Sequence, residues 1–176
     1  MYKCYQGNIV EGTESFSLLG VIGENLLHLG AWILVGYLLW PVLTVAGVPL
    51  LTILWAAIVV VVQILLKKHN CSGCYYYGKS CHLGWGKISS AMFAQDSGDP
   101  NIGARLSLFY IVPPPVVMIT AIVFGAIEGI AWGYWVALGL YVVFNIATFP
   151  VRKKSCSICA MRNVCSGSAA KQKDVA

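Results

Sequence analysis

Six of the seven cysteines in this 176-residue chain fall into two triplets. Cys71, Cys74 and Cys81 are spaced C-x2-C-x6-C, and Cys156, Cys159 and Cys165 are spaced C-x2-C-x5-C. Two cysteines separated by two residues can turn both sulfurs toward one ion, and a third can close the site after a short loop. Such clusters bind metal or do redox work when they face a reducing compartment, where structural disulfides are uncommon. Two triplets of near-equal spacing in one small chain point to metal. The alternative is six free thiols or a thiol-exchange pair.

The ligand count bears on which metal. Tetrahedral zinc takes four ligands, and a cubane iron–sulfur cluster takes one per iron. Each triplet is one short. Cys4, His69 and His82 are the available additions, with His82 or His69 expected to complete the first site and Cys4 the second. Zinc sites usually present two paired dyads, whereas each half here has one dyad and a single cysteine. The pattern therefore favours a [4Fe–4S] cluster, with zinc as the alternative. Tyr75, Tyr76, Tyr77 and Trp85 could shield a cluster, or belong to an aromatic belt at a membrane surface.

The segment Cys156-Ser-Ile-Cys159-Ala-Met-Arg-Asn-Val-Cys165 resembles the C-x2-C-x5-C stretch of iron–sulfur nucleases of the CRISPR-associated and recombination families. It is also similar to part of the auxiliary-cluster motif of radical-SAM enzymes with SPASM domains. The resemblance implies a [4Fe–4S] ligand role for Cys156, Cys159 and Cys165. By internal analogy it extends to Cys71, Cys74 and Cys81, and the distant upstream cysteine of the nucleases suggests Cys4 as a fourth ligand. The resemblance covers about ten residues per site. The nucleases' acidic catalytic set and a radical-SAM barrel are both missing from this sequence, so only the metal-ligand role carries over.

The elements that must hold these clusters are apolar. The chain is 58% hydrophobic and 11% charged, against about a quarter charged for a soluble domain. Uncharged runs of roughly 20 residues read as bilayer-spanning helices, and only helices or closed barrels satisfy the backbone in lipid. Four such runs occur: 26–46, 48–66, 106–127 and 130–149. They are continuously apolar, not alternating, which selects helices over a barrel. The polar start, with Glu11 and Glu14, does not read as a secretory signal, so the first run is expected to be retained.

All twelve basic residues lie in the N-terminal segment, in the loop between the second and third runs, or after the fourth. The positive-inside rule then places both termini and the central loop in the cytoplasm of a cell membrane, with all seven cysteines on that side. The net charge of +5 is a topology signal; basic residues spread along three juxtamembrane segments do not suggest nucleic acid as a partner.

The expected architecture is all-α, an integral membrane four-helix bundle. It comprises an N-terminal interfacial segment (1–25), a first hairpin with its cysteine cluster (26–82), a cytoplasmic loop (83–105), a second hairpin with its cluster (106–166) and a disordered tail (167–176). The two hairpins repeat one programme of two spans, basic residues and a cysteine triplet, as a tandem repeat about an axis along the membrane normal would. Leu83–Phe93 is expected to form a short interfacial helix. Pro41 falls inside the first span and Pro113-Pro114-Pro115 inside the third, where missing amide donors should kink the helix or make it start irregularly.

Within the spans ionisable groups are few. Glu24 and His28, four apart near the start of the first helix, suggest a mutual polar pair or a proton or quinone contact. A lone intramembrane histidine excludes bis-histidine haem within one chain. The composition supports three readings. The first is electron transfer through a membrane-anchored iron–sulfur protein, between a soluble donor and a membrane carrier or complex. The second is an accessory or scaffold subunit with structural zinc or iron–sulfur sites, which implies a protein partner or oligomer. The third is transport or sensing of a metal or sulfur species.

Overall fold

The computed structural model describes residues 9–170, and they are mostly helical. Helix α1 spans Leu18–Leu39, α2 Leu50–Leu66, α3 Trp85–Met92, α4 Pro100–Leu106, α5 Pro113–Glu128 and α6 Trp132–Ser157. Four helical segments are long and apolar enough to cross a membrane: Leu18–Leu39, Leu50–Cys71, Pro100–Glu128 and Trp132–Ser157. The shortest has 22 residues, about 33 Å at 1.5 Å per residue, against a hydrocarbon core of about 30 Å.

The span boundaries move from those read off the hydropathy. The first helix begins at Leu18, capped by Ser17, whose hydroxyl accepts from Gly20 N. It ends before Pro41, so that proline closes the helix and does not kink it. The loop near Gly47 is a tight hairpin pairing Thr44–Val45 (β1) with Val48–Pro49 (β2). Ala46 and Gly47 both adopt positive φ, as a two-residue hairpin demands. The prolines of the third span stand at the start of α5, where a missing N–H costs nothing. Ahead of them Ser107–Tyr110 is a 3-10 turn, and ahead of that lies α4, which the hydropathy reading left in the loop. Asp99 caps α4 by accepting from Asn101 N, with Pro100 in the first turn. The fourth helix continues through Pro150 to Ser157 and carries Cys156 in its last turn.

The interior is formed mainly by α1, α5 and α6. Val35, Leu38, Leu39, Val117, Ala121, Tyr134, Ala137, Leu138 and Tyr141 form one buried cluster. Helix α2 seats on its flank through Leu51 and Trp55. Outward positions such as Ile33, Ile127 and Ile146 are exposed and apolar, a surface compatible with lipid contact. The start of α1, the ends of α2 and α6, and α3 and α4 share one end of the bundle. Leu83–Phe93 contains the expected short helix, α3. Gly86 lets it approach so closely that a Cβ there would meet the carbonyls of Tyr76 and Lys79. Gly167–Ala170, expected to be disordered, is placed: Arg152 Nη2 donates to Gly167 O at 2.8 Å.

Candidate metal centre

Each C-x2-C pair follows the end of a long helix and folds into the same knuckle. In the first, Cys74 N donates to Cys71 O (3.3 Å), Tyr77 N to Cys74 O (2.9 Å), and Tyr76 N to the Cys74 sulfur (3.5 Å). In the second, Cys159 N donates to Cys156 O (3.1 Å), Arg162 N to Cys159 O (3.2 Å), and Met161 N to the Cys159 sulfur (3.4 Å). The pattern agrees bond for bond, 85 residues apart. An amide hydrogen aimed at a sulfur stabilises negative charge there, which is the form in which cysteine binds metal.

The two knuckles and their third cysteines line one cavity of about 90 Å³. Cys71, Cys74, Cys81, Cys156, Cys159 and Cys165 all border it, with His82. The six cysteines are free thiols. They share a cavity, not a point: among the described residues no three His, Cys, Asp or Glu side chains are arranged to hold an ion as they stand. The donor set is soft sulfur without a carboxylate, which suits zinc or iron–sulfur and not a hard cation. Cationic groups surround it. Arg152 and Arg162 line the cavity, and Lys67 lies within electrostatic reach of Cys71 and Cys81.

Tyr76, one of the most deeply buried side chains, joins the halves. Its hydroxyl donates to Thr13 O and accepts from Ala160 N at 3.1 Å. The segment before α1 stitches the same two loops. Val10 N donates to Ala160 O (3.0 Å), Thr13 N to Ile158 O (2.9 Å) and Phe16 N to Ser80 O (2.9 Å). Arg162 Nη1 closes the strap on Glu11 O at 2.7 Å.

Burial pushes the Cys159 thiol up to about 11, with Cys165 and Cys156 adding to the rise. Burial also raises Cys74 well above its ordinary value, helped by Cys71 and by Cys165 of the other triplet, although the residue keeps some exposed surface. Both are therefore neutral thiols near pH 7, and a metal would have to displace their protons. Burial likewise raises the Tyr76 phenol, so it stays a donor.

The sequence-predicted additions fall in different places. His82 borders the thiol cavity, and its Nδ1 lies 2.9 Å from Glu24 Oε1. His69 instead accepts from Asp99 N through Nδ1 at 3.0 Å, at the cap of α4. Cys4 lies outside the described residues. The Glu24–His28 side-chain pair does not form. His28 Nδ1 donates to the backbone carbonyl of Glu24 at 2.8 Å, and the Glu24 carboxylate turns to His82. A residue four along the helix meets the preceding carbonyl at least as easily as the side chain. Glu24 is 1% exposed, and its Oε2 has no hydrogen-bond partner among the described residues. Ser155 of α6 faces the same carboxylate without closing a hydrogen bond to Oε2. The sequence reading named Tyr76 only as a shielding or belt aromatic, not as the link between the halves, and missed Arg152 as a site residue. Their signals were position alone: an aromatic two residues past Cys74, and a cation four before Cys156.

Comparisons with protein-family models, curated proteins and solved structures found no match to this chain.

Proposed function

We propose that this is a multi-pass membrane protein whose two cysteine knuckles hold a thiolate-bound metal centre, an iron–sulfur cluster in preference to zinc. In this reading the centre carries electrons between a soluble donor and a carrier in the membrane. The supporting observation is the pair of matching knuckles, each with an amide N–H directed at its second sulfur, bordering one cavity. The surrounding Arg152, Arg162 and Lys67 would offset the negative charge of a thiolate-ligated cluster. When bound, the cluster supplies reversible one-electron chemistry. The chain supplies Cys71, Cys74, Cys81, Cys156, Cys159 and Cys165 as ligands, with His82 at the cavity edge. The orientation with the knuckles in the cytoplasm belongs to the same proposal. It rests on the basic residues gathered at the knuckle end of the bundle.

The test is anaerobic purification of the full chain followed by iron, sulfide and zinc analysis with EPR of the reduced protein. Iron with acid-labile sulfide and a reducible signal is expected. Stoichiometric zinc, or no metal, overturns the electron-transfer reading. Zinc would favour the scaffold reading, in which the knuckles fix the loops for a partner. The strap Val10–Phe16, which already ties both loops together by backbone hydrogen bonds, is the observation that favours that reading.

A further inference from the structure

Beside the thiol cavity lies a larger one of about 390 Å³. It exists because the third span is broken. Pro113-Pro114-Pro115 supplies no amide donors to the preceding turn. Ser107–Tyr110 therefore tightens into a 3-10 turn ahead of α5. That broken segment forms one wall, and α1, α2, α6 and the stretch Ser166–Ala169 form the others.

Its lining is selective. Trp32, Trp55, Phe109 and Tyr110 give it aromatic faces, with Trp55 and Phe109 stacked at 5.4 Å and 19°. Polar groups interrupt that surface, His28, Asn145 and Arg152 among them. His28 uses Nδ1 on the Glu24 carbonyl, which leaves Nε2 as its second ring nitrogen. Asn145 gives one amide hydrogen to Tyr141 O and has another. Arg152 gives one of its five N–H groups to Gly167 O and lies over the Tyr110 ring at 5.2 Å. Leu108, Ile111 and Phe149 border the cavity and are themselves exposed, so it opens on an apolar flank of the bundle. A volume of this size falls at the lower end for small-molecule sites, which run to roughly 300–1,000 Å³ and combine apolar walls with a few fixed polar groups. Ser107, Tyr110 and Arg152 border both cavities, so a single layer of side chains separates them.

We infer that this cavity binds a planar, lipid-soluble ring bearing edge carbonyls, of the quinone class. The aromatic faces hold the ring, and the amide of Asn145 and the guanidinium of Arg152 address its oxygens, while His28 Nε2 stands as an acceptor for a hydroxyl of the reduced ring. The choice of an electron-carrying ring rests on the function proposed above; binding of a carbonyl-bearing ring to these residues does not.

The full-length protein in detergent is titrated with 1,4-naphthoquinone and, separately, with naphthalene, following tryptophan fluorescence. An azido-naphthoquinone then maps the contact by peptide mass. Saturable quenching by the quinone is expected, with naphthalene at least about tenfold weaker. Asn145→Leu and Ala31→Phe should each weaken the quinone by about tenfold. The label should fall on the lining: α1, Trp55 of α2, Ser107–Ile111, Tyr141–Arg152 of α6 or Ser166–Ala169. Equal binding of the two rings, quenching that never saturates, or a label elsewhere overturns the inference. If Ala31→Phe does not fold, Asn145→Leu and the label decide. The titration is run on metal-free protein too. A metal-free chain that binds the quinone keeps this site even if no redox centre is ever found. A metal-loaded chain that is reduced by a soluble donor but only partitions the ring loses this site and keeps the electron-transfer reading.

Discussion

The two knuckles are built alike but held differently. Both carry Cys-Ser-x-Cys, both bond an amide to the second sulfur, and both follow a long helix. The first is embedded. Its Ser72 is fully buried, bonding to Lys68 O and receiving Gly98 N at 3.1 Å. Its cavity neighbour His82 is clamped by Glu24 of α1. Around it α3 and α4 pack on the π-helical extension Lys67–Cys71. The second knuckle buries its cysteines, Cys156 and Cys159, more deeply, but holds its serine less well. Ser157 is exposed and bonds only to Lys154 O, one turn back. Its support comes from the strap Val10–Phe16 and from Tyr76, donated by the first half. The lesson is that the local ligand geometry is set by the C-x2-C turn itself, while its rigidity is set by whatever lies beyond it.

The largest effect that separates shared from independent clusters is a single cysteine substitution in either half. Six thiols border one cavity, so the proposed metal is expected as one coupled centre and not two. Cys74→Ala and Cys159→Ala should each remove more than about half of the bound metal, because a ligand-deficient site neither closes nor fixes its loop. Metal content per chain by mass spectrometry checks this. Loss of only half from each variant would mean two independent centres.

The Glu24–His82 pair has no counterpart in the second half. Glu24 is buried at the end of the bundle that holds the knuckles, and its Oε1 is paired while its Oε2 is not. Removing Glu24 leaves His82 Nδ1 without its acceptor, and an unsatisfied group of this kind costs about 1–3 kcal/mol. Glu24→Ala should therefore lower the melting temperature of the purified protein clearly, and should release His82 from its fixed orientation. A melting curve that does not move would show that the first knuckle owes little to α1.

Much of this was legible in the residues. Uninterrupted apolar runs identified four long helices because nothing else satisfies a backbone without water. The residues of α3 showed their helical spacing. What failed was local. The span boundaries shifted where proline sits at a helix start, as at Pro113, or just beyond an end, as at Pro41, because proline interrupts only the turn before it. Pro150 is carried inside α6 nonetheless, so a single proline does not set a limit. The partner of Glu24 could not be read, since His82 lies 58 residues away and meets it only once α1 packs beside the first loop. The expected parallel repeat put the two clusters near each other beneath the bundle, but their sharing of one cavity could not be read, as it depends on Tyr76 and the strap joining two separate loops.

The smallest effect is the most direct comparison, since it changes the same residue of the same motif in the two halves. Ser72→Ala removes a hydroxyl that bonds Lys68 O and accepts from Gly98 N in a fully buried position. The Gly98 amide is then left without that acceptor, and an unsatisfied buried group costs about 1–3 kcal/mol. Ser157→Ala removes a hydroxyl from an exposed helix end, where the Lys154 carbonyl can turn to water, and should stay within about 0.5 kcal/mol. Thermal unfolding of the two variants side by side measures the difference. Equal losses would mean that the second knuckle is packed against something absent from the isolated chain, such as a partner subunit. That would move the functional reading toward a scaffold. A loss confined to Ser72→Ala would mean that the serine hydroxyl stabilises the first knuckle alone, the second being held by its buried Cys156, Cys159 and Met161 and by the strap.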